Sequence, residues 1–124
     1  MTLKIYLLLI REENTMEKYI KVKENKAKTT HLKIRLFYTL GGMNYGTYQI
    51  ENRGYYLSVI PVEYKEHNGH FTECYTAFLG VKQLIKEVTR QSKKSEEEAE
   101  KIAKTVENKL IDYVCRENGL ELAE

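Results

Sequence analysis

The stretch Tyr55-Tyr56-Leu57-Ser58-Val59-Ile60-Pro61-Val62-Glu63-Tyr64 constrains this chain more than any other. β-Branched and aromatic side chains at this density suit a pleated strand laid against a core. The run ends at His67-Asn68-Gly69-His70, and residues 71–78 return with Phe71, Tyr75 and Phe78. The sequence therefore predicts an antiparallel hairpin. Asn68-Gly69 fits a two-residue type I′ turn, whose central residues both need positive φ. That turn sets Tyr64 opposite Glu73, Val62 opposite Tyr75 and Ile60 opposite Ala77. Strand alternation then places Tyr56, Ile60, Val62, Tyr64, Phe71, Tyr75 and Ala77 on one side, the expected core face. Pro61 has no N–H to give a neighbouring strand, so an edge or a bulge is expected there.

Three shorter segments extend the sheet. Residues 17–23 alternate weakly and read as a strand, and the polar stretch 23–30 reads as a loop. Residues 31–40 form a firmer strand with Ile34, Leu36 and Tyr38 on one face. Gly41-Gly42 and Asn44-Tyr45-Gly46 are turn chemistry, residues 47–51 return as a strand, and Asn52-Arg53-Gly54 turns again.

Beyond Gly80 the period changes. Val81, Leu84, Ile85 and Val88 fall on an i, i+3, i+4, i+7 stripe and predict a helix. Ser95-Glu96-Glu97-Glu98 is a capping box opening a second helix, whose stripe is Ala99, Ile102, Ala103, Val106, Leu110 and Val114, with Gly119 as its stop. The expected fold is α+β: an antiparallel meander of four to five strands, followed by two C-terminal helices packed on one face.

The chain has 124 residues, the size of one domain. Lys and Arg total 20 against 18 Asp and Glu, a net charge of +2. So even a balance argues against a histone-like nucleic-acid coat and against an acidic duplex mimic. Cys74 and Cys115 form no CxxC pair and read as free thiols of a reducing compartment, so a cytoplasmic location is expected. The apolar run 5–10 is too short to span a membrane and lacks a cleavage site, so no membrane association is expected. Arg11-Glu12-Glu13 can be encoded by purine-rich codons placed like a ribosome-binding sequence before Met16. Residues 1–15 read either as an N-terminal extension ahead of a domain over 16–124, or as bearing an edge strand over 4–10.

No constellation for catalysis stands out. His67, His70 and Cys74 are the one metal-like grouping, but Cys74 lies roughly 13 Å from His70 along an extended strand, too far for one ion. Gly41-Gly42-Met43-Asn44-Tyr45-Gly46 matches neither a phosphate loop nor a dinucleotide fingerprint, and no nucleophile elbow occurs. The sequence thus predicts a non-enzymatic protein without metal or cofactor.

Basic and tyrosine residues are the better lead. Lys18, Lys21, Lys23, Lys26, Lys28, Lys33 and Arg35 lie close together in sequence with one acid, Glu24. On the expected first helix Lys82, Lys86 and Arg90 repeat every fourth residue, followed by Lys93 and Lys94. Such stripes neutralise phosphates, or form the solvated face opposite an apolar stripe. Among the ten tyrosines, Tyr45, Tyr48 and Tyr55 near turns are the expected exposed ones.

The strings Arg53-Gly54-Tyr55-Tyr56-Leu57-Ser58-Val59-Ile60-Pro61-Val62-Glu63, Tyr75-Thr76-Ala77-Phe78-Leu79-Gly80 and Glu87-Val88-Thr89-Arg90-Gln91-Ser92-Lys93-Lys94 carry a resemblance. Over about residues 43–122 the chain resembles small uncharacterised accessory proteins of phages and conjugative elements of low-GC Gram-positive bacteria. That resemblance assigns no residue a role. It implies a setting that includes anti-CRISPR proteins and other inhibitors of host defence. The expectation is a binding protein that occupies a host protein or ribonucleoprotein, such as a CRISPR nuclease, through the turn tyrosines and the basic residues around Arg90. The alternative is a small nucleic-acid-binding module using the basic patches.

Overall fold

The computed structural model describes residues 16–86 and 92–123. The main sheet holds β1 (Met16–Lys21), β2 (His31–Thr39), β5 (Gly54–Lys65), β6 (His70–Glu73) and β7 (Gly80–Ile85). Strands β3 (Met43–Tyr45) and β4 (Tyr48–Ile50) form a separate hairpin, and α1 spans Lys93–Asn118. Every pairing is antiparallel. Strand β5 is the centre of the sheet: β2 runs along one edge, while β7 and β6 share the other.

This arrangement corrects the expected fold. Among the described residues there is one C-terminal helix, and the segment read as a first helix is strand β7. Residues 55–59 of β5 present backbone polar groups on a buried edge, and only another strand can pair with all of them. β7 meets that demand, with Ser58 opposite Val81 and Leu57 opposite Lys82. Gly80 fixes how closely α1 packs on it. A Cβ there would lie 2.7 Å from Leu110 Cδ1 and 2.9 Å from Val114 Cγ2. Val88 and the rest of 87–91 lie outside the described residues, as do both readings of residues 1–15.

The hairpin exists with a different turn. Lys65 pairs with His70 across a four-residue loop, and the Lys65 carbonyl accepts from Asn68 N at 3.0 Å and Gly69 N at 2.8 Å. Only Gly69 has positive φ, +70°, so the loop needs one left-handed residue where a type I′ turn needs two. The register is therefore Tyr64 opposite Phe71 and Val62 opposite Glu73, two residues from the expected one. An even shift preserves the faces, which is why Tyr56, Ile60 and Val62 share a core with half-buried Phe71 as read. Tyr75 and Ala77, however, leave the sheet after Glu73, and Tyr64 is partly exposed.

Strand β5 is buried on both faces through Val62. Leu57 and Val59 pack with Leu32, Ile34, Leu36, Ala103, Ile111 and Val114 beneath α1. Tyr56, Ile60 and Val62 pack on the opposite face with Phe37, Tyr45 and Ile50, under the β3–β4 hairpin. The single core face expected from alternation is thus one of two. Pro61 lies between the two strands of the shared edge. Its carbonyl accepts from Cys74 N at 3.0 Å, so its ring nitrogen faces the gap between β7 and β6, where no ladder donor is required.

Helix α1 starts earlier than the capping box implied. Ser92 is the N-cap, its Oγ accepting from Ser95 N at 3.2 Å, and Gly119 caps the C-terminus at φ 64° as read. No described helix is long and apolar enough to cross a membrane.

Candidate functional site

The described residues among those singled out in the sequence fall on different elements. Lys82 is exposed on β7 opposite Leu57, Lys86 lies beyond the end of that strand, and Arg90 falls outside the described residues. A strand sets residues four apart roughly 13 Å from each other, so Lys82 on β7 and Lys86 just beyond it are not neighbours on a helical face. Lys93 and Lys94 are exposed in the first turn of α1. Of Tyr45, Tyr48 and Tyr55, only Tyr48 is exposed. Tyr45 and Tyr55 are buried. The Tyr45 hydroxyl accepts from Arg35 at 3.0 Å and from Ser58 at 3.3 Å, pinning the β3–β4 hairpin to the sheet. Tyr55 packs edge-on to Tyr38 and belongs to the small core with Ala99.

The basic stretch 18–35 is divided by strand alternation. Lys18 reaches Glu107 of α1 at 2.8 Å on the helix side. Lys33 faces Glu73 at 3.9 Å and Arg35 faces Glu17 at 3.4 Å on the other side. Lys23 pairs with Glu121 at 3.5 Å. Acids thus balance four of the seven cations, and three of these acids, Glu73, Glu107 and Glu121, are too distant in sequence for a scan of local charge to detect. Among the described residues no group of three or more His, Cys, Asp or Glu is placed to hold a metal ion.

Two features that the sequence reading missed have the geometry of a binding site. The first is the connection between β6 and β7. It leaves β5 at the bond from Cys74 N to Pro61 O, turns through Ala77 N to Cys74 O at 3.0 Å, and is then held by α1. The Asn118 side chain accepts from Phe78 N and donates to Phe78 O, both at 2.8 Å, and also donates to Val114 O at 2.8 Å. On this fixed backbone Tyr75 is 79% exposed and Phe78 60%. Beside it lies a cleft of about 200 Å³ lined by Asn44, Tyr45, Thr47, Glu73, Cys74 and Tyr75.

The second feature is the open part of the sheet face turned away from α1. Tyr19 stacks on Phe71 with ring centroids 3.9 Å apart and planes 13° apart. His31 meets Phe71 edge-on at 5.1 Å and Tyr64 leans on it at 4.9 Å. Burial and the Glu17 carboxylate raise the Tyr19 phenol, against a smaller lowering by Arg35. Burial and the Lys21 charge lower the His31 imidazole. No sequence signal marked this cluster, because Tyr19 and Phe71 belong to strands separated by two others.

Comparison of the chain with known families, curated proteins and solved structures finds no match.

Proposed function

We propose that this chain is a non-enzymatic binding protein that occupies a protein partner through the loop bearing Tyr75 and Phe78. The observation that carries this reading is two large, exposed aromatic rings on a backbone clamped by Asn118. Exposed aromatics held in a fixed frame are the anchors that dominate protein interfaces, because little conformational freedom is lost when they are buried. The balanced cations of the 18–35 stretch support a protein partner over a phosphate backbone. A host protein or ribonucleoprotein, such as a CRISPR nuclease inhibited by an accessory protein of a phage or conjugative element, is the partner that the resemblance over residues 43–122 suggests. The cytoplasm is the compartment this reading requires, and the free thiols of Cys74 and Cys115 agree with it.

Affinity capture from a low-GC Gram-positive lysate, with and without nuclease, tests the proposal. The full chain retains a protein partner that nuclease does not release, and a Tyr75→Ser, Phe78→Ser variant loses it. Retention by the double variant overturns the role of the loop. Release by nuclease transfers the function to nucleic acid. Where the captured partner is a nuclease, inhibition of its DNA cleavage by the full chain, absent with the double variant, completes the test.

A further inference from the structure

We infer that the open sheet face around Tyr19 is a second binding site, for single-stranded nucleic acid. The grid of side chains on β1 and β2 is set by register: Lys21 opposite His31, Tyr19 opposite Lys33, Glu17 opposite Arg35. All six point away from α1, because the intervening residues Lys18, Ile20, Ile34 and Leu36 face the helix side. An aromatic ring therefore stands among Lys21, His31 and Lys33. Phe71 comes from the far side of β5 to stack on one face of the Tyr19 ring, which fixes that ring and leaves its other face for a base.

Flat aromatic rings on an antiparallel sheet, bordered by cations, suit unpaired bases, whose π faces are accessible only when the strand is single. A duplex hides those faces, and its backbone would meet only the cations. Two acids lie at the corners of the grid. Glu73 is 3.9 Å from Lys33 and Glu17 is 3.4 Å from Arg35. The Lys33 side chain is only 17% exposed, so its pair with Glu73 keeps it from a ligand. Arg35 is held as well, since it also donates to the Tyr45 hydroxyl beneath the β3–β4 hairpin. The phosphate-binding group is thus Lys21, and Tyr19 is the stacking platform. None of these residues lines the cleft beside Tyr75.

Fluorescence anisotropy with labelled thymidine and uridine homopolymers of about 15 nucleotides, the upper range of a single small sheet platform, tests the site against a duplex of equal length. The full chain binds the single strands more tightly than the duplex, and added salt weakens the binding. Tyr19→Ala lowers affinity roughly five- to a hundredfold, the weight of one base on an aromatic ring. Lys21→Ala removes an exposed side chain without touching the core, and it reduces the salt slope by about 0.7, the value for one single-strand phosphate contact. Circular dichroism of both variants separates loss of the site from loss of the fold. Equal binding to duplex, no binding at low salt, or unchanged affinity in both folded variants overturns the site. The Tyr75→Ser, Phe78→Ser variant binds the homopolymers as the parent does, so failure here leaves the protein-binding proposal untouched.

Discussion

Asn118 holds both backbone groups of Phe78, accepting from its N–H and donating to its carbonyl at 2.8 Å each. The side chain of the last helical residue thereby acts as a short stretch of strand partner for a loop that has none, 40 positions away in sequence. Asn118→Ala removes three hydrogen bonds, of which each contributes about 1 kcal/mol net. Because these groups are largely solvent-accessible and water replaces part of the loss, the expected destabilisation is about 1–2 kcal/mol. The Phe78 amide should lose its hydrogen-exchange protection while β5 amides keep theirs. Unchanged exchange at Phe78 would show that the loop is held by something other than Asn118.

Gly80 gives a direct measure of the packing of α1 on β7. In a helix, Gly→Ala stabilises by up to about 1 kcal/mol. Here the added Cβ would stand 2.7 Å from Leu110 and 2.9 Å from Val114, so the helix must shift or the side chains leave their rotamers. Gly80→Ala is expected to cost about 1–3 kcal/mol in urea denaturation, as overpacking does. A rise in the midpoint would restore the helical reading of this segment.

How far the sequence could be read follows from where the constraints lie. Strands β2 and β5 were legible because local alternation and β-branched density decide them, and α1 because its stripe and Gly119 do. Strand β7 was not. Val81, Leu84 and Ile85 fit both a helical and a strand period over so short a span, and the deciding fact is the buried edge of residues 55–59, whose backbone groups need a strand partner, a tertiary demand. The same limit hid the candidate surfaces. Tyr75 alternates correctly with Phe71 and reads as core, yet the strand ends at Glu73. Nothing local to Phe78 indicates a clamp on Asn118. Tyr45 and Tyr55 sit beside turns and read as exposed, but the β3–β4 hairpin folds back over the sheet and buries the first, while the second faces α1.

The hairpin loop separates two turn geometries by mutation. Gly69 has φ +70° with open space around the position of a Cβ, so substitution there meets backbone strain alone. Gly69→Ala is expected to cost about 1–2 kcal/mol, the penalty of a left-handed L-residue. Asn68 has no positive φ, so Asn68→Ala should change stability by less than about 0.5 kcal/mol, an ordinary surface effect. A type I′ turn would make both substitutions costly. Parallel thermal unfolding of the two variants therefore tests the four-residue loop and, with it, the pairing of Tyr64 with Phe71.

His31 links the aromatic face to pH. Its imidazole sits edge-on to Phe71, with Nδ1 2.8 Å from the Thr30 hydroxyl, and that hydroxyl accepts from Tyr64 N at 2.7 Å. The charged group that acts on it is Lys21, across the strand pair on β1, which disfavours a second positive charge; Lys33, two residues along β2, is paired with Glu73. Burial first, and Lys21 second, put its pKa below the ordinary 6.5. The unfolded chain consequently takes up a proton at this site before the folded one does. Stability then rises with pH through the window between the folded pKa and 6.5. The contribution is complete above that window and lost as pH falls through it. His31→Gln, which keeps a polar ring-sized group without titrating, should flatten this part of the stability profile. Direct titration of the His31 ring by NMR should give a midpoint below 6.5. A midpoint at or above that value would mean that a negative charge faces the ring and outweighs Lys21, and stability would then change with pH in the opposite sense.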